Sequence, residues 1–200
     1  INQVFAGGFD YPFGIEITSD FLYVADVEYV WKIPYKSGQL KINGEPIKLT
    51  KTDALGDPTG HRTRNIVLLN NKIYIAIGSY GNIGVEDYPR ATIQELDLEN
   101  NEQKIFATGL RNPIGLDIHP VTKKLYTVVN ERDGMGDDLV PDYFSEVGKG
   151  DFFGWPFFYL GENLQPNLEK NNFYFKNVEQ TKNKSIKKPD VLFKSHSGPI

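Results

Sequence analysis

The sequence contains no cysteine, and this absence excludes disulfide bonds and thiolate metal ligands. Any bound metal must therefore be held by oxygen atoms or imidazole nitrogens. Nowhere do about 18 apolar residues follow one another, so no membrane-spanning helix is predicted. Residues 1–5 also lack the basic and apolar regions of a signal peptide.

The sequence also has no excess of basic residues over acidic ones. The 22 lysine and arginine residues are outnumbered by 26 aspartate and glutamate residues, which gives a formal net charge of -4. A surface that binds nucleic acid needs concentrated positive charge, so nucleic acid is not an expected partner. A small, weakly charged ligand suits this balance better. With 40% apolar and 24% charged residues, the 200-residue chain has the composition of a folded globular protein.

Three short apolar segments of one kind recur along the chain. They are LYVA from Leu22, IYIA from Ile73 and LYTV from Leu125, and their first residues lie 51 and 52 positions apart. Residues 8–17 match residues 109–118 position by position, and 65–69 takes the same place in the middle copy. Each repeat is thus predicted to contain two paired strands and weaker strands after them. The weaker strands are predicted at 30–34, 93–98 and 104–107, and the turns at 19–20, 70–71 and 120–122.

A period of about fifty residues that contains only strands is typical of β-propeller blades, which are four-stranded antiparallel sheets. Two hundred residues hold about three to four blades, whereas closed propellers have about four to eight. The sequence therefore predicts an all-β fold in which residues 1–200 form one partial propeller domain. A β-sandwich would explain neither the spacing nor the matched prolines. The asparagine- and lysine-rich stretch 163–188 is predicted to be a surface insertion, not a second domain.

Polar residues beside the repeated inner strands are candidates for a ligand site, because loops leaving inner strands surround the axis of a propeller. His61 lies in the polar cluster 60–65, which enters the second repeat. Histidine is the usual base near neutral pH, so His61 is either a general base or a hydrogen-bonded loop histidine.

Arg111 and Asn112 precede the inner strand of the third repeat, where the first repeat has Asp10 and Tyr11. The turn itself therefore does not require these side chains. An arginine fork can hold a carboxylate or a quinone oxygen, and an asparagine both donates and accepts hydrogen bonds. The alternative is that Arg111 pairs with a neighbouring carboxylate of the protein.

An acidic loop follows the third repeated strand. Residues 130–142 carry five acidic side chains and two glycines, and calcium takes about six to eight oxygen ligands of these kinds. The spacing does not fit the EF-hand loop. The loop is either a calcium site or a solvated acidic surface.

These clusters together resemble the glucose/sorbosone dehydrogenase family. Residues 109–116 (GLRNPIGL), 130–138 (NERDGMGDD) and 154–156 (GWP) are especially similar to its sorbosone dehydrogenase-like branch, and the similarity extends from about residue 5 to residue 200. The resemblance implies a six-bladed propeller that binds pyrroloquinoline quinone with calcium. It implies oxidation of a sugar, a sugar aldehyde or a related alcohol, an external electron acceptor, and a periplasmic or secreted location.

The resemblance also assigns roles to residues. His61 matches the general base, with Arg111 as a second catalytic residue, and Arg111 and Asn112 match the holders of the quinone. Arg64 and Arg132 are further candidates for cofactor binding. The metal candidates fall into two sites. Asp133 and Gly134 match the calcium ligands at the quinone, and Asp137 or Asp138 matches a ligand of a second, structural calcium.

The chain departs from the glucose dehydrogenase branch at two positions. Leu139 stands where that branch continues with an acidic residue, which weakens the case for the structural calcium, and Arg132 replaces an uncharged amide. Further basic cofactor contacts in the family come from later blades. Two other functions stay open on the sequence alone: a propeller that binds proteins without catalysis, and a calcium-dependent lactonase-like hydrolase.

Overall fold

The computed structural model describes residues 3–166 and 185–199, and every regular element in these ranges is a β-strand. Within them, no helix is long and apolar enough to cross a membrane. The strands form three four-stranded antiparallel sheets and one two-stranded hairpin. The structure thus confirms the predicted all-β class and four-stranded blades.

Each sheet is one blade, numbered along the chain. Blade 1 contains β1 (Gly14–Ile17), β2 (Phe21–Ala25), β3 (Val30–Pro34) and β4 (Ile47–Lys48). Blade 2 contains β5 (Ile66–Leu69), β6 (Lys72–Ile77), β7 (Thr92–Asp97) and β8 (Gln103–Thr108). Blade 3 contains β9 (Pro113–Ile118), β10 (Leu125–Val129), β11 (Pro141–Val147) and, after a long excursion, β14 (Val191–Ser195).

The excursion in blade 3 includes the short hairpin of β12 (Phe158–Tyr159) and β13 (Asn163–Leu164). Most of the predicted insertion, residues 167–184, lies outside the described residues. At its beginning, Gln165 is buried with 5% exposure. The assignment of 163–188 as a surface insertion in a single domain stays a prediction.

The predicted turns pair the first two strands of each blade. Asn70 and Asn71 have φ angles of 49° and 61°, a left-handed conformation that asparagine tolerates and that tight hairpins require. The register then places Ile66 opposite Ile75. The alternation of side chains gives each blade two apolar faces, and each of these can pack on a neighbouring blade.

The first strands of the blades lie next to one another. The Gly14 backbone amide donates to the Arg64 carbonyl (3.1 Å), and the Asn65 side-chain nitrogen Nδ2 donates to the Ile114 carbonyl (3.0 Å). A Cβ atom at Gly14 would collide with the Arg64 carbonyl, so glycine allows this close approach. β1, β5 and β9 are therefore the inner strands of a partial propeller.

The apolar core lies between the blades. One cluster joins blade 1 to blade 2 and includes Tyr23, Val30, Ile66 and Ile75. A second cluster joins blade 2 to blade 3; its members include Val67, Tyr74, Leu125, Val129 and Tyr143. Burial of aliphatic and aromatic side chains between sheets is the main stabilising contribution in such a stack.

Candidate functional site

Four loops meet at one end of the inner strands. Residues 57–65 lead into β5, 78–91 connect β6 to β7, 109–112 lead into β9, and 130–140 connect β10 to β11. Antiparallel pairing within each blade places the start of the first strand beside the end of the second. We call this region the loop end. Every residue that the sequence singled out for chemistry lies in it.

His61 has one ring nitrogen fixed by hydrogen bonds. Its Nδ1 lies 2.8 Å from the Ser79 carbonyl and 3.1 Å from the Ser79 hydroxyl oxygen. That hydroxyl donates its own hydrogen to the Gly81 carbonyl (2.6 Å), so both neighbours of Nδ1 are acceptors. Nδ1 therefore carries the proton, and the lone pair resides on Nε2.

The surroundings of His61 also keep its ring neutral. Burial is the main cause that lowers the pKa of His61 below its ordinary value of 6.5, and the positive charge of Arg111 lowers it further. A neutral imidazole with the lone pair on Nε2 can accept a proton from a ligand.

Asn112 lies beside His61, with Gly78 between them. A Cβ atom on Gly78 would be 2.6 Å from the His61 Cβ and 2.8 Å from Asn112 Oδ1, so only glycine fits at this position. Asn112 is buried with 7% exposure, and its Oδ1 has no hydrogen-bond partner in the described part of the chain. Buried amide oxygens are normally satisfied, so Asn112 supplies an unused acceptor next to His61.

Arg111 is held mainly by protein oxygens. Its Nε donates to the Asn82 carbonyl (3.3 Å), and its Nη1 donates to the carbonyls of Asn130 (3.2 Å) and Glu131 (2.7 Å). Its Nη2 pairs with the Asp133 carboxylate at 3.3 Å. The carboxylate pairing that the sequence left open is thus present. Arg111 contributes a fixed positive charge to the site and keeps little capacity for direct contacts.

Asn82 connects the loops of blades 2 and 3. Its Nδ2 donates to the Asp133 carbonyl (2.9 Å), and its Oδ1 accepts from the Asp133 amide (2.8 Å). The Asn82 carbonyl also accepts from the Trp155 indole nitrogen (3.0 Å). We call the pair of bonds between the Asn82 side chain and the Asp133 backbone the Asn82 clip.

Arg64 supports the loop that carries His61. Its side chain is fully buried, and it donates to the carbonyls of His61 (2.8 Å), Thr63 (3.1 Å) and Asp57 (3.3 Å). Burial lowers the pKa of Arg64 to about 10. These contacts place Arg64 behind His61, where its side chain has no exposed surface in the described chain.

The Arg132 side chain is occupied by protein partners. It is fully buried, with its Nε on the Glu131 carboxylate (2.9 Å). Its two terminal nitrogens donate to the carbonyls of Pro156 (3.1 Å) and Phe158 (2.8 Å) and to Gln165 Oε1 (2.8 Å). Arg132 therefore fixes the hairpin of β12 and β13.

The acidic loop does not gather its carboxylates. Asp133, Gly134, Asp137 and Asp138 are all exposed, and the Asp133 carboxylate lies between Arg111 and the His196 ring (Nδ1, 3.0 Å). Across residues 3–166 and 185–199, no three histidine, aspartate or glutamate side chains are close enough to hold a metal. Calcium at the predicted position would have the carbonyls of Asp133 and Gly134, fewer than the six to eight oxygens that it takes.

The prediction omitted Ser79 and Asn82. Both lie in the loop after β6, which corresponds to the acidic loop after β10, so the rule that selected 130–142 would have selected them in the middle repeat. His196, which also bonds to the Gly136 carbonyl (3.2 Å), reaches the loop end only because β14 pairs with β11. A sequence pattern does not reveal this long-range pairing.

Comparisons with solved structures support the propeller arrangement. A structure of Trichoderma reesei Carbohydrate-Active Enzymes Family AA12 superposes with a TM-score of 0.73 at 17% identity, covering 92% of this chain and 55% of that chain. The holo form of the pyranose dehydrogenase PQQ domain from Coprinopsis cinerea gives 0.72 at 16% identity, covering 93% and 55%. The apo form of the soluble aldose sugar dehydrogenase from Escherichia coli gives 0.56 at 14%, covering 89% and 55%. At these identities the likeness concerns the fold, and the chain spans about half of each relative's length.

Sequence comparisons point to one family. An uncharacterized protein of Borreliella burgdorferi is 34% identical over 115 residues, which are 56% of this chain and 29% of that protein. The model of the TrAA12-like family matches residues 5–142, well over half of the chain. These residues include His61, Arg111 and Asn112 at the loop end. The chain belongs to the TrAA12-like family.

Proposed function

We propose that this chain forms part of a quinoprotein dehydrogenase that depends on pyrroloquinoline quinone and calcium and oxidises a sugar, a sugar aldehyde or a related alcohol. The observation that carries the proposal is the state of His61: a half-buried neutral imidazole whose Nδ1–H is fixed on Ser79. Its Nε2 is a base held in one orientation, as proton abstraction from a substrate hydroxyl requires. The names of the Coprinopsis cinerea and Escherichia coli relatives agree with sugar oxidation.

In this proposal Asn112 and Arg111 hold the quinone, as the family resemblance implies. Asn112 carries a buried amide oxygen without a partner in the described chain, and the Arg111 charge is close enough to His61 to lower the pKa of its ring. When bound, pyrroloquinoline quinone supplies the acceptor for the hydride that leaves the substrate carbon. His61 takes the hydroxyl proton at Nε2, and the fixed charge of Arg111 stabilises negative charge that develops nearby.

The described residues alone do not form a calcium site, so we propose calcium only for the site of the complete enzyme. Asp133 and Gly134 provide two carbonyl oxygens, and the Asn82 clip already uses one of them. We therefore assign no step of the reaction to calcium. Removal of calcium with a chelator, followed by its return, tests this part through the absorbance of the bound quinone.

The experiment that tests the function adds pyrroloquinoline quinone and calcium to the protein and follows reduction of a redox dye with aldoses, sorbosone and simple aldehydes. We expect dye reduction, and we expect His61→Gln to lower its rate by about 10²- to 10⁴-fold while the absorbance change on quinone binding persists. His119→Gln is the matched control, because His119 lies in the exposed turn between β9 and β10. Equal rates for the two variants would contradict the role of His61.

The substrates also test the finer parts of the proposal. Preference for sorbosone over aldoses would support the sorbosone dehydrogenase-like branch, and a periplasmic or secreted location belongs to the same proposal. No contact among the described residues favours the lactonase-like or the non-catalytic alternative.

A further inference from the structure

A cleft lies on the outer strands of blade 2, away from its inner strand β5. One wall comes from blade 2, where Gln94 on β7 pairs with Ile105 on β8. Another wall is the segment after β4, which includes Thr50. The volume of the cleft is about 370 Å³, within the range of about 300–1,000 Å³ for sites of small ligands. We call it the outer cleft; its lining includes Thr50, Lys51, Tyr88, Gln94, Gln103 and Ile105.

The blade 2 wall is the face turned toward blade 1. Residues at alternate positions of β7 share a face, and Leu96 on this face belongs to the apolar cluster between blades 1 and 2. Gln94 shares the face of Leu96 and is only 3% exposed. Gln103 lies opposite Leu96 on β8. Two amides therefore line the outer part of a face whose inner part packs apolar side chains against blade 1.

Hydrogen bonds fix the orientation of both amides. The Thr92 hydroxyl donates to the Pro89 carbonyl (2.5 Å) and accepts from Gln94 Nε2 (2.7 Å). Gln103 Nε2 donates to the Ala54 carbonyl (2.9 Å). Each amide nitrogen is thus bound to the protein, and each Oε1 is the acceptor end. Gln103 Oε1 is buried without a hydrogen-bond partner in the described chain, whereas buried oxygens normally have one.

Thr50 supplies a donor on the wall that follows β4. The Val30 backbone amide donates to Thr50 Oγ1 (3.1 Å), so the hydroxyl hydrogen of Thr50 is left for another acceptor. The outer cleft thus combines amide acceptors with a hydroxyl donor. Hydroxyl groups of a ligand match both kinds, because a hydroxyl donates and accepts at once.

The rim of the outer cleft adds apolar surface without a dominant charge. Tyr88 and Ile105 are 60% and 40% exposed, and the Tyr88 ring offers a flat apolar face. The lining carries one cation, Lys51, and one anion, Glu102. Glu102 also pairs with Lys104 at 2.8 Å. This balance favours a neutral ligand over a phosphate or a cation.

We propose that the outer cleft binds one neutral saccharide ring, with hydroxyl groups on Gln94, Gln103 and Thr50 and a C–H face on Tyr88. A saccharide ring combines many hydroxyl groups with an apolar face and no charge, which is the combination that this lining matches. The cleft lies on β7 and β8, whereas His61 precedes β5, so the bound ring is not the reacting one. The proposal does not rest on the quinone or on the reaction, and either proposal can fail without the other.

Titration with methyl glycosides of glucose, galactose, mannose and xylose, without quinone or calcium, tests the site. The rings of these glycosides stay closed and are not oxidised at the anomeric carbon. We expect one of them to shift the side-chain amide signals of Gln94 and Gln103 in a ¹⁵N NMR spectrum, in a saturable way. Sodium sulfate controls for charge and should leave both signals in place. No saturable shift with any glycoside, or an equal response to sulfate, would overturn the proposal.

Two variants test the assigned contacts by titration calorimetry with the glycoside that shifts these signals most. We expect Tyr88→Ala and Gln94→Met each to raise its dissociation constant at least about tenfold. Gln39→Met is the matched control, because Gln39 lies between β3 and β4 and bonds only to the backbone of its own loop in the described chain. Far-UV circular dichroism checks folding, and the exposed Tyr88 site decides if Gln94→Met does not fold. Unchanged affinity in Tyr88→Ala, or in folded Gln94→Met, would overturn the proposal.

Longer ligands distinguish the source of the ring. Maltotetraose and cellotetraose are compared with the methyl glycosides in the same calorimetric titration. A tetrasaccharide that binds more tightly assigns the ring to a longer chain, and equal affinities assign it to a free sugar. Both outcomes support a saccharide site in the outer cleft.

Discussion

At the scale of single residues, Ser79 holds two of the candidate site residues in place. Ser79 fixes the tautomer of His61 through its carbonyl and its hydroxyl, and the Ser79 amide donates to the Arg111 carbonyl (2.7 Å). His61 and Arg111 are therefore held by the same residue. The position of one depends on the position of the other.

The first prediction concerns the proton affinity of His61. Arg111→Gln removes a positive charge that lowers the pKa of His61, so this pKa should rise toward 6.5. An NMR pH titration of the three histidine rings measures it. Arg62→Gln is the control, because Arg62 is exposed, lies over the Tyr11 ring at 4.6 Å and should leave the titration unchanged.

The same shift makes stability depend on pH. The pKa of His61 is lower in the folded chain than in the unfolded chain, so the unfolded chain binds the proton more readily. The contribution of a neutral His61 is fully present above about pH 6.5 and is lost as the pH falls toward the folded pKa. Urea unfolding at several pH values in this range gives the free energy of unfolding as a function of pH. Its slope against pH should be shallower for His61→Gln than for the natural sequence, and an unchanged slope would contradict the assignment.

The second prediction uses two glycines of the same loop. Gly78→Ala should lower the free energy of unfolding by about 1–3 kcal/mol, because the new Cβ collides with His61 and Asn112. Gly81→Ala should change it by less than about 0.5 kcal/mol, because the nearest atom is Glu86 Oε1 at 3.8 Å. Urea unfolding of the two variants compares them directly, and similar losses would show that crowding at residue 78 is not the cause.

The residues of the site were only partly predictable. The phase of the repeat placed His61, Arg111 and Asn112 before inner strands, and this information is local in the sequence. The burial of Arg64 and Arg132 was not predictable, because it depends on carbonyls contributed by loops and by the β12–β13 hairpin. An arginine near a predicted site can equally well hold the backbone behind it.

At the scale of elements, strands that pair with close neighbours in sequence were predictable. β3 spans Val30–Pro34 as expected, and β7 and β8 differ from the expected ranges by only one residue at their ends. Hairpin pairing depends on short turns, which leave clear signals. β14 pairs with β11 across the whole excursion, and no local signal identifies such a partner.

The third prediction tests how the excursion is held in place. Arg132→Met leaves the Glu131 carboxylate, itself 3% exposed, without its partner, so the free energy of unfolding should fall by about 3–5 kcal/mol. Adding Glu131→Gln to the same chain removes the stranded charge and should recover part of the loss. Chemical unfolding of the single and double variants measures both effects. A double variant as unstable as the single one would mean that the charge pair is not the main contribution.

At the scale of the whole molecule, stability comes from contacts between blades more than from any blade alone. Each sheet is narrow and has two apolar faces, and the two clusters named above lie between sheets. On the inner strand of blade 1, by contrast, Ile15 is 58% exposed. The position of an apolar side chain in the stack therefore decides how much it contributes to the free energy of unfolding.

The fourth prediction compares two equivalent isoleucines. Ile66→Ala should lower the free energy of unfolding by about 2–5 kcal/mol, because Ile66 is 2% exposed between blades. Ile15→Ala should lower it by less than about 0.5 kcal/mol, because Ile15 is 58% exposed. Denaturant titrations of the two variants provide the comparison. A large loss for Ile15→Ala would show that its side chain is covered in solution.

The Asn82 clip makes the geometry of the loop end depend on a single amide group. An Asn82→Asp change would replace the nitrogen that donates to the Asp133 carbonyl with a carboxylate oxygen. Two oxygen atoms would then face each other across 2.9 Å, and the loops of blades 2 and 3 would separate while the apolar clusters stayed intact. A change of one side-chain atom would thus cost the protein the geometry of its loop end but not its fold.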